Sequence, residues 1–131
     1  MTVEVHVVTP EREVWTGEVQ QLTARGVDGE VGILGGHAPL LAQLAIGPLR
    51  LLHEDGSTLV AVVDGGFLHV SSEGEVTRAD VLASHAELAH EIDVARARRR
   101  LEDLENRTDE DDNGVAKAEI AKAMARIDIA G

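Results

Sequence analysis

From the start of the chain to about residue 80, apolar residues recur at every second position, the spacing that sends successive side chains to opposite faces of a strand. In VEVHVV, Val3, Val5 and Val7 share one face, and Glu4 and His6 occupy the other. The same alternation predicts strands in EVQQLTAR (Glu18–Arg25), PLRLLH (Pro48–His53), TLVAVV (Thr58–Val63) and FLHV (Phe67–Val70). Between the runs stand turn signals: Asp28-Gly29, Gly35-Gly36, Asp55-Gly56, Gly65-Gly66 and Glu73-Gly74. Asp55-Gly56, between PLRLLH and TLVAVV, is the clearest hairpin signal. With no helical segment available to cross between parallel strands, the pattern predicts an antiparallel sandwich or barrel.

After about Ala83 the period changes. SHAELAHEIDVARARRRLEDLENR (Ser84–Arg107) has no Gly or Pro and is rich in Ala, Leu, Glu and Arg, all strong helix formers. Ser84 is placed to cap this helix, with Glu87 completing a capping box. Arg96, Arg98, Arg99 and Arg100 follow the early acids in the order that the helix dipole favours. TDEDDNG (Thr108–Gly114) breaks the helix, and Val115 to Ile129 resumes it, with Ala116, Ile120, Ala123, Met124 and Ile127 as its apolar stripe. Two antiparallel helices are predicted. Only Leu88, Ile92, Leu101, Leu104, Ile120 and Ile127 offer large side chains to the contact between them, each worth roughly 1.5–3 kcal/mol on burial. A hairpin held so thinly is able to leave the sandwich and extend.

Charge and composition narrow the function. The 131 residues suit one ordinary domain, or one domain with a small appendage, and the net charge of −12 argues against a nucleic-acid partner, whose binding needs a basic face. There is no cysteine, hence no disulfide framework, thiolate metal site or cysteine nucleophile. The N-terminus lacks the basic flank and apolar run of a signal peptide, and no stretch approaches the roughly 20 apolar residues of a membrane span. Direct membrane insertion is therefore not expected.

Candidate chemistry is sparse. Asp109, Asp111, Asn113 and Gly114 match the first positions of an EF-hand loop, but Lys117 and Ile120 stand where later ligands are needed, which favours a solvated turn. The six histidines lack metal-ligand spacing, so no metal site is expected; Asn106-Arg107-Thr108 fits a glycosylation acceptor without a secretory context. Arg98-Arg99-Arg100, flanked by acids, reads as a solvated or ion-paired face. GxSxG, GxxxxGK and GxGxxG are all absent, and no lysine lies in the β half to carry a swinging-arm cofactor. No catalytic residue is predicted. In GEVGILGGHAPLL (Gly29–Leu41), a glycine-rich stretch, Glu30 and His37 are the only ionisable groups.

Taken in order, VVTPEREVWTGEV (Val7–Val19), GEVGILGGHAPLL, DGGFLHV (Asp64–Val70), EIDVARA (Glu91–Ala97) and AEIAKAMARI (Ala118–Ile127) resemble the epsilon subunit of bacterial F-type ATP synthases. The resemblance implies an all-β sandwich of about ten strands over residues 1–83, followed by an antiparallel two-helix hairpin over 84–131. It also implies a non-catalytic rotor subunit that binds gamma and the membrane c-ring, with its hairpin extending into the alpha/beta catalytic head to restrain ATP hydrolysis. The location implied is peripheral, on the cytoplasmic face of the cell membrane. By position, Glu30 and His37 fall in the region facing the c-ring; the plain alternative is two surface charges beside a turn.

Some members of that family bind ATP through (I/L)DxxRA, which Ile92, Asp93, Arg96 and Ala97 match. No cofactor is required, but the match implies regulatory ATP, with Arg96 on phosphate, Asp93 accepting from adenine, and Glu87 and Arg126 contributing. The alternative is an Asp93–Arg96 helical ion pair. Three features depart from the family: Gly35 replaces a usual proline, the Val76–Glu87 segment is longer, and the second helix lacks a basic tail, which implies weak inhibition. A competing reading is a free-standing β-sandwich binding module whose helical arm mediates dimerisation.

Overall fold

Two long strands organise the sheet. In the computed structural model, which describes residues 1–106 and 114–130, β1 (Val3–Val8), β2 (Glu13–Val19), β3 (Gln21–Gly26) and β4 (Gly29–Leu34) precede β5 (Leu40–Leu52) and β6 (Thr58–Glu73). They are followed by β7 (Val76–Ala83), β8 (Ala86–Leu88), a single 3-10 turn at Ala89–Glu91, and the helices α1 (Val94–Glu105) and α2 (Val115–Ala130). The strand order is β2-β1-β7-β6-β5-β3-β4, with β8 also on β6. Every pairing is antiparallel except β1–β7, a parallel pair that the turn signals did not disclose.

The β5–β6 hairpin forms at Asp55-Gly56, where the Gly56 N–H donates to the His53 carbonyl at 3.0 Å, and its pairing continues from Leu52↔Thr58 to Leu40↔Val70. Its neighbours change along the way. β6 pairs with β8 over Ala61–Val63 and with β7 over Gly66–Glu73, while the β3–β5 register slips between Ala24 and Gly26. The hairpin thus passes from one layer of the sandwich to the other near Asp64–Gly66. Gly65 and Gly66, expected to reverse the chain, instead bend a continuous strand, with φ of 89° and 125°. TLVAVV and FLHV are therefore one strand, and eight strands stand where the resemblance implied about ten because β5 and β6 serve both layers unbroken. EVQQLTAR, expected as one strand, is split at Gln20 between β2 and β3.

Nineteen buried residues make one core, including Val3, Val5 and Val7 from β1, Leu22 from β3, Ile33 from β4, Leu49 and Leu51 from β5, Leu68 and Val70 from β6, and Val81 from β7. Val62 points away from Ala61 and Val63 yet is fully buried. Its face of β5 and β6 is the one α2 packs against, so this strand is covered on both sides.

The first helix begins later than its composition predicts. Ser84 does not cap it; the Ser84 hydroxyl donates to the Asp64 carbonyl at 3.0 Å, and Ala86–Leu88 continue the sheet beyond residue 83 by pairing with β6. Filling that open sheet edge outweighs helix propensity here. Asp93 is the cap that forms, its Oδ1 accepting from the Arg96 N–H at 3.0 Å. In place of the Asp93–Arg96 side-chain ion pair weighed as the alternative, Asp93 thus bonds the Arg96 backbone. Arg100 meets Glu119 early in α2, while Arg126 near its end reaches Glu87, so α2 runs back along α1. Ala97, Leu104 and Ala123 are buried; Met124, expected in the apolar stripe, is 49% exposed because the sheet meets the adjoining face of α2. The acidic stretch Asp109–Asn113 weighed for calcium, and Arg107 and Thr108 of the glycosylation triplet, lie outside the described residues.

Candidate functional site

Where the hairpin folds back on the sandwich, a groove of about 760 Å³ opens between them. α1 contributes Arg96, Ala97, Arg99, Arg100 and Asp103; α2 contributes Glu119, Lys122, Ala123 and Arg126. β8 supplies Glu87, the segments on either side of it supply His85, Glu91 and Asp93, β6 supplies Asp64, and the β1–β2 loop supplies Arg12. Six cationic side chains and six carboxylates therefore line it. In a chain of net charge −12, that balance makes the groove a relatively favourable place for an anion.

Most of these charges already have partners. Arg126 donates from Nε to Glu87 Oε1 at 2.7 Å and, through Nη1 and Nη2, to both oxygens of Asp64 at 2.9 Å each. Burial opposes its charge, but the hydrogen bonds to Asp64 and then Glu87 outweigh that, holding the guanidinium more firmly protonated than usual. Arg12 donates to Glu91 at 3.0 Å; that bond, with the Leu88 N–H, draws the Glu91 carboxyl below its ordinary range. Lys122 and Arg100 both approach Glu119. Among the described residues, Arg96 and Arg99 have no side-chain ion pair.

The motif-derived set is therefore brought together only in part. Glu87, Asp93, Arg96, Ala97 and Arg126 all line the groove, whereas Ile92 does not. Asp93 is engaged as a helix cap and Arg126 by two carboxylates, so Arg96 is the member with a free charged group facing the groove. Reading the sequence missed Arg12, Asp64, Arg99, Arg100, Glu119 and Lys122 as groove residues. Helical spacing could have placed Arg96, Arg99 and Arg100 side by side; no local signal could have brought Arg12 and Asp64 there. Among the described residues no group of His, Asp and Glu is arranged to hold a metal ion.

Glu30 and His37 are separated rather than paired. Glu30 stands at the start of β4, opposite Arg25, while His37 follows its end, where its N–H donates to the Leu34 carbonyl at 3.1 Å. The four strand steps from Glu30 to Leu34 alone span roughly 13 Å. Glu30 lies in β4, an edge strand, and His37 in the loop that leaves it. Nearby, a Cβ on Gly35 would come within 2.8 Å of the Met1 carbonyl carbon, which accounts for a glycine at that position.

A second surface is apolar. The registers place Phe67, Leu82 and Val8 in one row across β6, β7 and β1, on the face away from the core, with Leu41 close by on β5. Phe67, Leu82 and Leu41 are 47%, 50% and 66% exposed. A cluster of this kind on one sheet face is characteristic of a protein contact.

Comparison with known proteins agrees with this architecture. The model for the beta-sandwich domain of the ATP synthase delta/epsilon chain matches residues 2–89. The ATP synthase epsilon chain of Bacillus pumilus is 40% identical over 133 residues, covering 99% of this chain and 98% of that protein. That of Streptomyces coelicolor is 42% identical over 111 residues, covering 83% and 86%. Among solved structures, a chain from the OSCP/F1/c-ring assembly of the Euglena gracilis mitochondrial ATP synthase has a TM-score of 0.75 at 26% identity, over 96% of this chain and 78% of that one.

Proposed function

The chain belongs to the ATP synthase delta/epsilon family and is similar to its epsilon chains over nearly its whole length, and on that basis we propose that it is a non-catalytic subunit of the central rotor, carrying c-ring rotation to gamma and restraining ATP hydrolysis through its helical hairpin. The sandwich is the rigid part. Its apolar row of Val8, Phe67 and Leu82 suits the gamma contact, and the β4 edge from Glu30 to His37 suits the polar loops of the c-ring. Attachment to the cytoplasmic face of the membrane is then indirect; among the described residues no helix is long and apolar enough to cross it.

The observation that carries the regulatory half is the imbalance between the two units. The sandwich has nineteen buried residues in its own cluster, whereas the two helices bury Ala97, Leu104 and Ala123. One leucine contributes about 1.5–3 kcal/mol on burial and alanine much less. The hairpin can therefore undock and extend into the alpha/beta head without dismantling the sandwich. A nucleotide in the groove would hold it down, with Arg96 and Arg99 on the phosphates, because such a ligand would touch both the hairpin and the linker leading to it.

The test is truncation after Glu91 in the assembled synthase, a cut that keeps β8 and so leaves the β6 edge paired. Hydrolysis is expected to rise while synthesis persists. Unchanged hydrolysis would remove the restraining role, and failure of the purified chain to bind its own gamma subunit at micromolar concentration would remove the rotor assignment.

A further inference from the structure

We propose that Asp64, Arg126 and Glu87 form a latch that sets the resting position of the hairpin, independently of any ligand; this rests on the reading that the hairpin moves. Arg126 lies near the end of α2, Asp64 at the point where β6 crosses between layers, and Glu87 in β8, so one guanidinium ties three separate elements. Its two end nitrogens grip both Asp64 oxygens at 2.9 Å and Nε holds Glu87 at 2.7 Å, a planar fork that lysine cannot reproduce. The side chains of Arg126, Asp64 and Glu87 are 13%, 6% and 23% exposed, the most enclosed cation-to-carboxylate contacts among the described residues.

Asp64 is held in place before α2 arrives. Its N–H donates to the His85 carbonyl at 3.0 Å, and its own carbonyl accepts from the Ser84 hydroxyl at 3.0 Å. When Arg126 departs, Asp64 and Glu87 both lose the cation they share, and Asp64 loses both of its charge-assisted hydrogen bonds at once. Extension is thereby opposed at a single place. The apolar contacts of the hairpin, mostly alanine, have no comparable specificity for one docked position.

The experiment uses the full chain, whose lack of cysteine allows fluorophores to be attached at Glu54→Cys and Ala121→Cys, both on exposed residues. Single-molecule energy transfer then counts docked and extended hairpins without nucleotide. Asp64→Asn and Arg126→Gln are each expected to raise the extended-to-docked ratio on the order of tenfold to a hundredfold, and the double variant no further than the larger single effect. Arg126→Lys, which keeps the charge and loses the fork, is expected to fall between. A ratio within twofold of the parent for Asp64→Asn, or fully additive effects in the double variant, would overturn the latch. Because no ATPase activity is read, a changed ratio with unchanged hydrolysis in the assembled enzyme would sink the braking role while leaving the latch standing.

Discussion

Replacing Gly66 by alanine tests whether the passage of β6 between layers depends on this one backbone position. At φ 125° an L side chain is strained by about 1–3 kcal/mol. The added Cβ would also press into the Leu82 carbonyl oxygen and come within 2.8 Å of the Ala83 Cα. Both obstacles are backbone of β7, so the strand must shift, at a further cost of about 1–3 kcal/mol. Together these predict a loss of roughly 2–6 kcal/mol, a large share of the 5–15 kcal/mol typical of a domain. Gly56→Ala is the control: its φ is 90°, but nothing lies within 4 Å of the new Cβ, so only backbone strain of about 1–2 kcal/mol is expected. Urea unfolding followed by circular dichroism and by the fluorescence of Trp15, the single tryptophan, measures both. Equal losses for the two variants would show that β7 yields freely at Ala83 and that the steric argument is wrong.

Three other outcomes are expected. Calorimetry should show ATP binding that Arg96→Ala weakens at least tenfold; equal binding by parent and variant would rule out a phosphate contact at Arg96. Phe67→Asp, on an exposed position, should leave the urea midpoint nearly unchanged while weakening the complex with gamma, and intact binding would move the interface elsewhere. The Glu91 carboxyl is depressed below its ordinary value of 4.5, so its contribution to stability is complete above about that pH and is lost as pH falls through the lower folded-state value. Arg12→Ala should therefore lower the urea midpoint at neutral pH and converge on the parent in strong acid; a constant difference down to pH 2 would exclude the Arg12–Glu91 pair as its source.

The all-β half and the α half were legible because each carries its own period. Val3, Val5 and Val7 alternate inward as expected, and Asp55-Gly56 makes the hairpin its residues promised. The DxxR motif likewise marked one wall of the groove, through Asp93, Arg96 and Ala97. What remained hidden is non-local. Gly65-Gly66 carries the same local signal whether the chain reverses or merely bends, and only the presence of β7 and β8 on successive stretches of β6 decides which. Ala86–Leu88 prefer helix by composition and form a strand because an open sheet edge awaits them.

By itself, then, the sequence determined the class of each half, the turn at Asp55-Gly56, the acidic character of the chain, and the thinness of the hairpin's apolar stripe. These follow from side-chain periodicity, glycine's backbone freedom and the supply of large apolar residues, all properties of neighbouring positions. Tertiary structure decided the parallel β1–β7 pair, the burial of Val62 under α2, and the partners of Arg126. Asp64 and Arg126 are 62 residues apart. No local rule couples such positions, and their ion pair exists because a bent strand and a returning helix enclose both groups where water no longer competes for their hydrogen bonds.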